Sequence, residues 1–374
     1  MKAKTWLAAW FAVIFALGIL LGTAERMKAQ EEGTKAGAAQ AQTAEQKFKN
    51  IQVLKGIPAD QLVPSMQFIA ASLGVECDFC HVEHAMDKDD KKEKKAARAM
   101  ITMMMAINKA NFEGNREVTC YTCHRGWFHP VATPILSADS KPAIHMHEDE
   151  DEGKSVLPPA QTIVAKYLAA AGGPDALQKV KSRLQKGTID AFGDRYPIEI
   201  YSVGPEKRVS VSHPSSGDSV TAFNGEVGWL AMPRGFHQMT DAEQQAARID
   251  AQLYFPVRLP ELYQDFRVRP GDPIDGHATY LVSAKGKHLP PLRLYFDQET
   301  GLLLRQIRYA ETPLGNNPTQ IDYMDYRTTD GVKIPYRWTL ARPNGRFTIQ
   351  VDDVKNNVPV DEKLFVMPSD KPGH

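Results

Sequence analysis

The chain has 374 residues, 45 basic and 45 acidic side chains, 43% hydrophobic residues and four cysteines. That length and apolar content suit about two domains with cores of their own, and zero formal net charge removes any global electrostatic case for nucleic-acid binding. Four cysteines cannot staple a chain of this size, and all four fall in two copies of one five-residue pattern.

Lys2 and Lys4 precede an uncharged run from Thr5 to Ala24, and Glu25, Arg26 and Lys28 then restore charge. This is the pattern of an export signal, and a run of about 20 residues reaches the length of a spanning helix. Residues 1–30 are therefore read as a signal peptide cleaved after Gly22-Thr23-Ala24 or, the favoured reading, as an uncleaved anchor. Either places the body of the protein in the periplasm, anchored to the inner membrane or released from it. Residues 31–47, rich in Ala, Gln, Gly, Thr and Glu without an apolar period, read as a flexible tether. Residues 137–158 read as an acidic linker: His145 and His147 lead into Glu148-Asp149-Glu150-Asp151-Glu152 and Pro158-Pro159 closes it. The two histidines lack a third ligand of fixed spacing.

Between these segments, residues 48–136 read as a small helical domain containing every cysteine. Pro64 suits a first helical turn, Met66, Ile69, Ala70 and Leu73 repeat with helical period, and Gly74 is placed to end the helix. Cys77-Asp78-Phe79-Cys80-His81 follows. A second helix spans Lys91 to Ala110, with Met100, Met103, Met104 and Ile107 on one face and a Lys-rich start whose alternating charges suit a solvated surface. Cys120-Tyr121-Thr122-Cys123-His124 comes next.

C-x-x-C-H is the attachment pattern of c-type haem. Cysteines at i and i+3 share one side of a helical turn, so both sulfurs reach the two vinyl groups of one porphyrin. The histidine at i+4 shares that side and points its imidazole at the iron, its other nitrogen held by a backbone carbonyl. Cys77, Cys80 and His81 would hold one haem, and Cys120, Cys123 and His124 a second. A single zinc on the four cysteines leaves both histidines unexplained. A thioredoxin-like dithiol wants a βαβ setting that the sequence lacks. For the opposite faces of the irons the preceding helices offer Met66 to the first haem and Met100, Met103 or Met104 to the second. His84 and Met86 lie too near His81 in the chain to reach across a porphyrin.

The segment from Lys49 to Gly126 resembles the haem-binding repeats of the cytochrome c subunit of photosynthetic reaction centres. The run from Ala97-Arg98-Ala99-Met100 to Ile107-Asn108, with Val118 to Gly126, looks like the second repeat; Met66 to Cys77 looks like the first. The resemblance implies His/Met ligation, with Met66 on the first iron and Met100 on the second, Met103 being the runner-up. That subunit carries four haems and a lipid-bearing cysteine, whereas this chain has two motifs and Thr23 or Ala24 at the corresponding place. It looks closest to two-haem relatives whose C-terminal region is unrelated.

Residues 159–374 contain no cysteine and read as an antiparallel β-rich domain opened by two helices, Ala160 to Ala171 and, capped by Asp175, Ala176 to Val180. Strands are expected at Ile198–Val203, Arg208–Ser212, Ser219–Phe223, Tyr280–Ser283, Leu292–Phe296, Leu302–Arg308, Thr319–Tyr326 and Phe347–Val351, with hairpin turns at Asp297–Gly301 and Thr329–Gly331. The opening faintly resembles periplasmic lipoprotein carriers, whose curved sheet encloses acyl chains. The whole reads as a multidomain, exported di-haem c-type cytochrome that passes electrons between redox-partner proteins. Its rivals are a di-haem peroxidase, which needs an open distal site, and a periplasmic ligand- or lipid-binding protein with a redox-sensing haem domain.

Overall fold

A computed structural model of the protein describes residues 42–131, 157–233, 235–343 and 345–368. The expected anchor, most of the tether, and the linker through Val156 with His145 and His147 lie outside the described residues. Among the described residues no helix is long and apolar enough to cross a membrane.

Regular structure is present within the segment that the composition marked as a tether. Residues expected at the end of the tether form a one-turn helix, α1 (Ala44–Lys47), because Ala44 is fully buried and its N–H donates to Ile57 O at 2.9 Å. The Thr43 to Gln46 spacing closes the turn as a capping box, a signal already present in the sequence. Helix α2 (Leu62–Leu73) ends at Gly74, whose φ of 67° is the left-handed value that glycine adopts without strain. A Cβ there would also strike the carbonyl of Gly126, so the position needs glycine twice over. Two further single turns, α3 (Cys77–Cys80) and α5 (Cys120–His124), flank the long α4 (Lys92–Asn111).

The buried stripe of α4 is Lys94, Ile101, Met104 and Asn108. The expected single methionine face therefore splits. Met104 enters the core with Leu54, Leu62, Phe68, Ile69 and Ile101, while Met100 and Met103 stay about half exposed. The Lys-rich start is not a uniformly solvated face either, since Lys94 is 8% exposed.

Helices α6 (Ala160–Ala170) and α7 (Gly173–Lys179) open the second region. Asp175 lies inside the first turn of α7 rather than capping it, because Gly172, at φ 114°, turns the chain earlier and Pro174 fits the helix start. The strands then form a single antiparallel sheet in the order β6 (Gly235–Gln238), β5 (Gly228–Met232), β4 (Ser219–Phe223), β3 (Lys207–Ser212), β2 (Asp194–Val203), β1 (Ser182–Ala191), β13 (Gly345–Asn356), β12 (Val332–Arg342), β11 (Gly315–Thr329), β10 (Leu303–Thr312), β9 (Leu292–Asp297), β8 (His277–Lys285), β7 (Gln264–Ile274). One meander runs outward from β1 (Ser182–Ala191) to β6 (Gly235–Gln238), and a second runs back from β7 (Gln264–Ile274) to β13 (Gly345–Asn356), which lies against β1. Helices α8 (Asp241–Asp250) and α9 (Phe255–Leu262) join them.

Alternation along the strands puts one apolar face under the helices. Ile163, Val164 and Tyr167 of α6 pack with Ile249, Leu259, Val282, Leu294 and Phe296, the last four all fully buried or nearly so. Over this cluster the apolar face of the sheet is thus covered by the protein's own helices. Within it Arg308 of β10 (Leu303–Thr312) makes a two-pronged bond to Asp250, Nη1 to Oδ1 at 2.6 Å and Nη2 to Oδ2 at 2.8 Å.

The two regions share a core. The turn between β10 and β11 (Gly315–Thr329) carries Leu314, fully buried in the cluster of Leu62, Phe68, Ile69, Ile101 and Met104. Asn317 Nδ2 donates to Pro64 O at 2.9 Å, and Arg116 donates to Thr312 O. A side chain at Gly315 would collide with the Phe68 ring.

Candidate haem sites

Both cysteine pairs sit on single helical turns, α3 and α5, which is the local geometry that puts residues i and i+3 on one side. None of the four is in a disulfide. Burial pushes the Cys80 and Cys120 thiols up in pKa, the opposite of what an activated redox dithiol requires. Among the described residues no three His, Cys, Asp or Glu side chains converge on a common point.

The two histidines are held alike. His81 Nδ1 lies 3.0 Å from Met86 O, and His124 Nδ1 lies 3.0 Å from Trp127 O. A carbonyl can only accept, so in each ring Nδ1–H is the donor, and in the neutral imidazole the lone pair then lies on Nε2. Left-handed Arg125 and Gly126 fold the chain back so that the Trp127 carbonyl meets its histidine.

The sites adjoin one another. Gly126 N–H donates to Ser72 O at 2.8 Å, tying the end of the second motif to the last turn of α2. Phe79, inside the first motif, meets Phe128, just past the second, edge to face with centroids 5.9 Å apart. Asn108 pins the approach to Cys120: its Nδ2 donates to Val118 O at 2.7 Å and its Oδ1 accepts from Val118 N–H at 2.9 Å.

Met66 is half-buried on α2 beside the shared core. Met100 and Met103 lie on the outward face of α4, and most of the exposed large apolar side chains of the described residues belong to this small region: Met86, Met100, Met103, Tyr121, Trp127 and Phe128 among them. So much apolar surface around two C-x-x-C-H turns suits a large flat apolar group at each, and the thiols, the free Nε2 lone pairs and the thioethers are donors that haem iron and its vinyl groups accept. His84 has a side chain 91% exposed and lies 3.4 Å from Glu83.

The first site is backed by a cluster around Asp89 that the C-x-x-C-H spacing did not announce. Asp89 accepts from Arg98 Nη1 at 2.9 Å, Asn50 Nδ2 at 2.9 Å and Gln52 Nε2 at 3.2 Å, and Lys94 stands 3.1 Å away. The helical period does mark Lys94, the one charged residue on the stripe of Ile101, Met104 and Asn108. The Arg98 and Asn50 hydrogen bonds hold the Asp89 carboxyl well below the usual carboxylate range. A depressed folded pKa gives stability that is complete above the unfolded value, near 3.9, and is lost as pH falls from there through the folded value. Stability of the holoprotein should therefore fall on acidification below about pH 4, and Asp89→Asn should lower it at neutral pH while flattening that acid limb. Denaturation midpoints measured against pH check both; parallel acid limbs for the two proteins would remove Asp89 as the source.

Residues 21–162 match the family described as photosynthetic reaction centre cytochrome C subunit. Cytochrome c-554 of Chloroflexus aurantiacus is 32% identical over 146 residues, covering 36% of this chain and 34% of that protein. The photosynthetic reaction center cytochrome c subunit of Rubrivivax gelatinosus is 34% identical over 98 residues, a quarter of each chain. The chain thus spans about a third or less of the length of the curated relatives it matches. Among solved structures, a DUF1329 family protein from Desulfovibrio piger gives a TM-score of 0.40 at 11% identity, covering 56% of this chain and 98% of its own. A LolA superfamily protein from Nitrosomonas europaea gives 0.40 at 16% identity, covering 56% and 99%. The helical, cysteine-bearing region is therefore similar to reaction-centre cytochrome c subunits and cytochrome c-554, and the large antiparallel sheet is a distinct second part.

Proposed function

We propose that the chain is a two-haem c-type cytochrome that carries single electrons between redox-partner proteins outside the cytoplasm. The observation that carries this reading is the repeated arrangement of a C-x-x-C turn whose following histidine gives its Nδ1 proton to a backbone carbonyl and leaves Nε2 bare. Cys77 and Cys80 would hold one haem by thioethers with His81 on its iron, and Cys120 and Cys123 the other with His124. Met66 is the proposed second ligand of the first iron and Met100 of the second, with Met103 one turn away. When bound, each haem supplies one-electron exchange at its iron.

The protein's own groups do the rest. The Met86 and Trp127 carbonyls fix which imidazole nitrogen faces the metal. Methionines on both distal faces would leave no open coordination position, which favours a carrier over a peroxidase. The Ser72 to Gly126 hydrogen bond and the Phe79 to Phe128 contact hold the end of the second motif against the first, which favours transfer between haems bound there. An N-terminal anchor over residues 1–30 would hold the carrier at the periplasmic face of the inner membrane.

The full chain produced in a host with c-haem maturation should carry two covalent haems and no free thiol after denaturation. A haem-stained gel, intact mass and thiol titration read this directly. One haem per chain, or bound zinc, would sink the proposal, and a high-spin spectrum with turnover of peroxide would replace the carrier with the peroxidase.

A further inference from the structure

The two proximal histidines are alike in their own bonds and unlike in what lies behind them. The Met86 carbonyl that accepts from His81 Nδ1 at 3.0 Å also accepts from the Lys94 ammonium at 2.9 Å. Lys94 is buried, and its three donors are all engaged: Met86 O, Lys88 O at 2.7 Å and Asp89 Oδ1 at 3.1 Å. Arg98 also bonds Asp89, through Oδ2 at 2.9 Å, so the cluster of Lys94, Arg98 and Asp89 is one positive charge in excess. Behind His124 the Trp127 carbonyl serves the ring alone; among the described residues no ammonium or guanidinium shares it.

We propose that Lys94 is a positioning residue that raises the potential of the haem at Cys77 relative to the haem at Cys120, acting on His81 through the shared Met86 carbonyl. This rests on the two-haem reading above. A carbonyl that accepts strongly from Nδ1–H draws the proton away, gives the ring imidazolate character and makes Nε2 a better donor to ferric iron. An ammonium on the same oxygen withdraws density from it, so the ring stays closer to neutral imidazole and the reduced iron is favoured. The field of a positive charge held away from water acts in the same direction, because it disfavours the extra charge of the oxidised site. The carbonyl effect is confined to the first haem, and the field acts more strongly there than at the second. The asymmetry therefore sets the order in which the two sites fill with electrons, the first haem before the second.

Spectrally monitored redox titration of the full-length holoprotein tests this, with Met66→His marking the first haem by its lowered midpoint. Lys94→Met keeps the buried volume and removes the charge. The expected result is a fall in the first midpoint larger than any at the second, and Lys94→Arg should restore most of the difference. An Asp89→Asn variant changes the same field with the opposite sign and should raise the first midpoint, which keeps the inference testable if Lys94→Met loses its fold. An unmoved first midpoint in Lys94→Met, or equal movement of both, overturns the inference, since a merely structural lysine would change stability and leave the gap between haems intact. Absence of haem at Cys77 in the unaltered protein would instead defeat the two-haem reading itself.

Discussion

Met100→His should lower the potential of the haem at Cys120 and remove one methionine-to-iron absorption band from the oxidised spectrum, and Met66→His should do the same at Cys77. Thioether sulfur favours reduced iron over oxidised iron, whereas imidazole favours the reverse. A roughly fiftyfold change in relative affinity is worth on the order of 100 mV at about 59 mV per tenfold for one electron, and a shift of that size is expected. The two faces of α4 supply the controls. Met104 sits at 7% exposure in the core, so Met104→Leu is a packing change of similar volume costing less than about 1.5 kcal/mol and should leave both bands and both potentials in place. Met103 shares the outward face with Met100, so it is the sharper comparison. Loss of the second band in Met103→Leu, with Met100→Leu silent, would shift the ligand by one helical turn.

The largest stability effect in the sheet region is expected at Asp250. Its carboxylate takes both prongs of Arg308, whose side chain is 4% exposed, and the backbone carbonyl of the same residue accepts from Arg208 at 3.3 Å. The register places Arg183 opposite Ser202 and Ser202 opposite Arg208, so these two guanidiniums also lie on the helix-covered face. Removing one partner of a buried pair leaves a charge without compensation, at a cost of about 3–5 kcal/mol. Asp250→Ala should therefore lower the chemical denaturation midpoint of the full chain sharply. The double variant Asp250→Ala with Arg308→Met should recover part of the loss, because it deletes the stranded charge as well. A cost below about 1 kcal/mol for the single change would mean that water reaches Arg308.

What could be read in the sequence was what is encoded locally. The C-x-x-C-H turns, the helices ahead of them and the stop at Gly74 depend on neighbours within a turn or two, and they stand where the spacing put them. So do the strands with clean alternation, such as Ser219–Phe223. β7 escaped because Pro270, Gly271 and Pro273 interrupt its pattern, which its place at the sheet edge tolerates. β5 (Gly228–Met232) and β6 are too short for a period, and the strand Val332–Arg342 contains Pro335. Helix α8 was announced by Thr240 and Glu243, a capping box that the surrounding strands concealed. Leu314 and Lys94 show the limit. A leucine in a hairpin turn and a lysine in a basic run look ordinary until the distant residues that enclose them are in place.

The pairing of β1 with β13 has a consequence for a chain that emerges from its N-terminus. β1 finds β2 within a few residues, but its other edge stays open until the segment around Phe347 to Asn356 has been made, more than 150 residues later in the chain. Throughout that interval the nascent protein shows a bare edge beside apolar strands, the surface on which strangers dock and aggregates start. Gly187 marks the joint, since any side chain there would meet the backbone of Gln350 and Val351 and keep the latecomer out. A chain cut short before residue 345 would keep that edge for life, and quality control would meet it as a sticky half-product rather than as a slightly shorter protein.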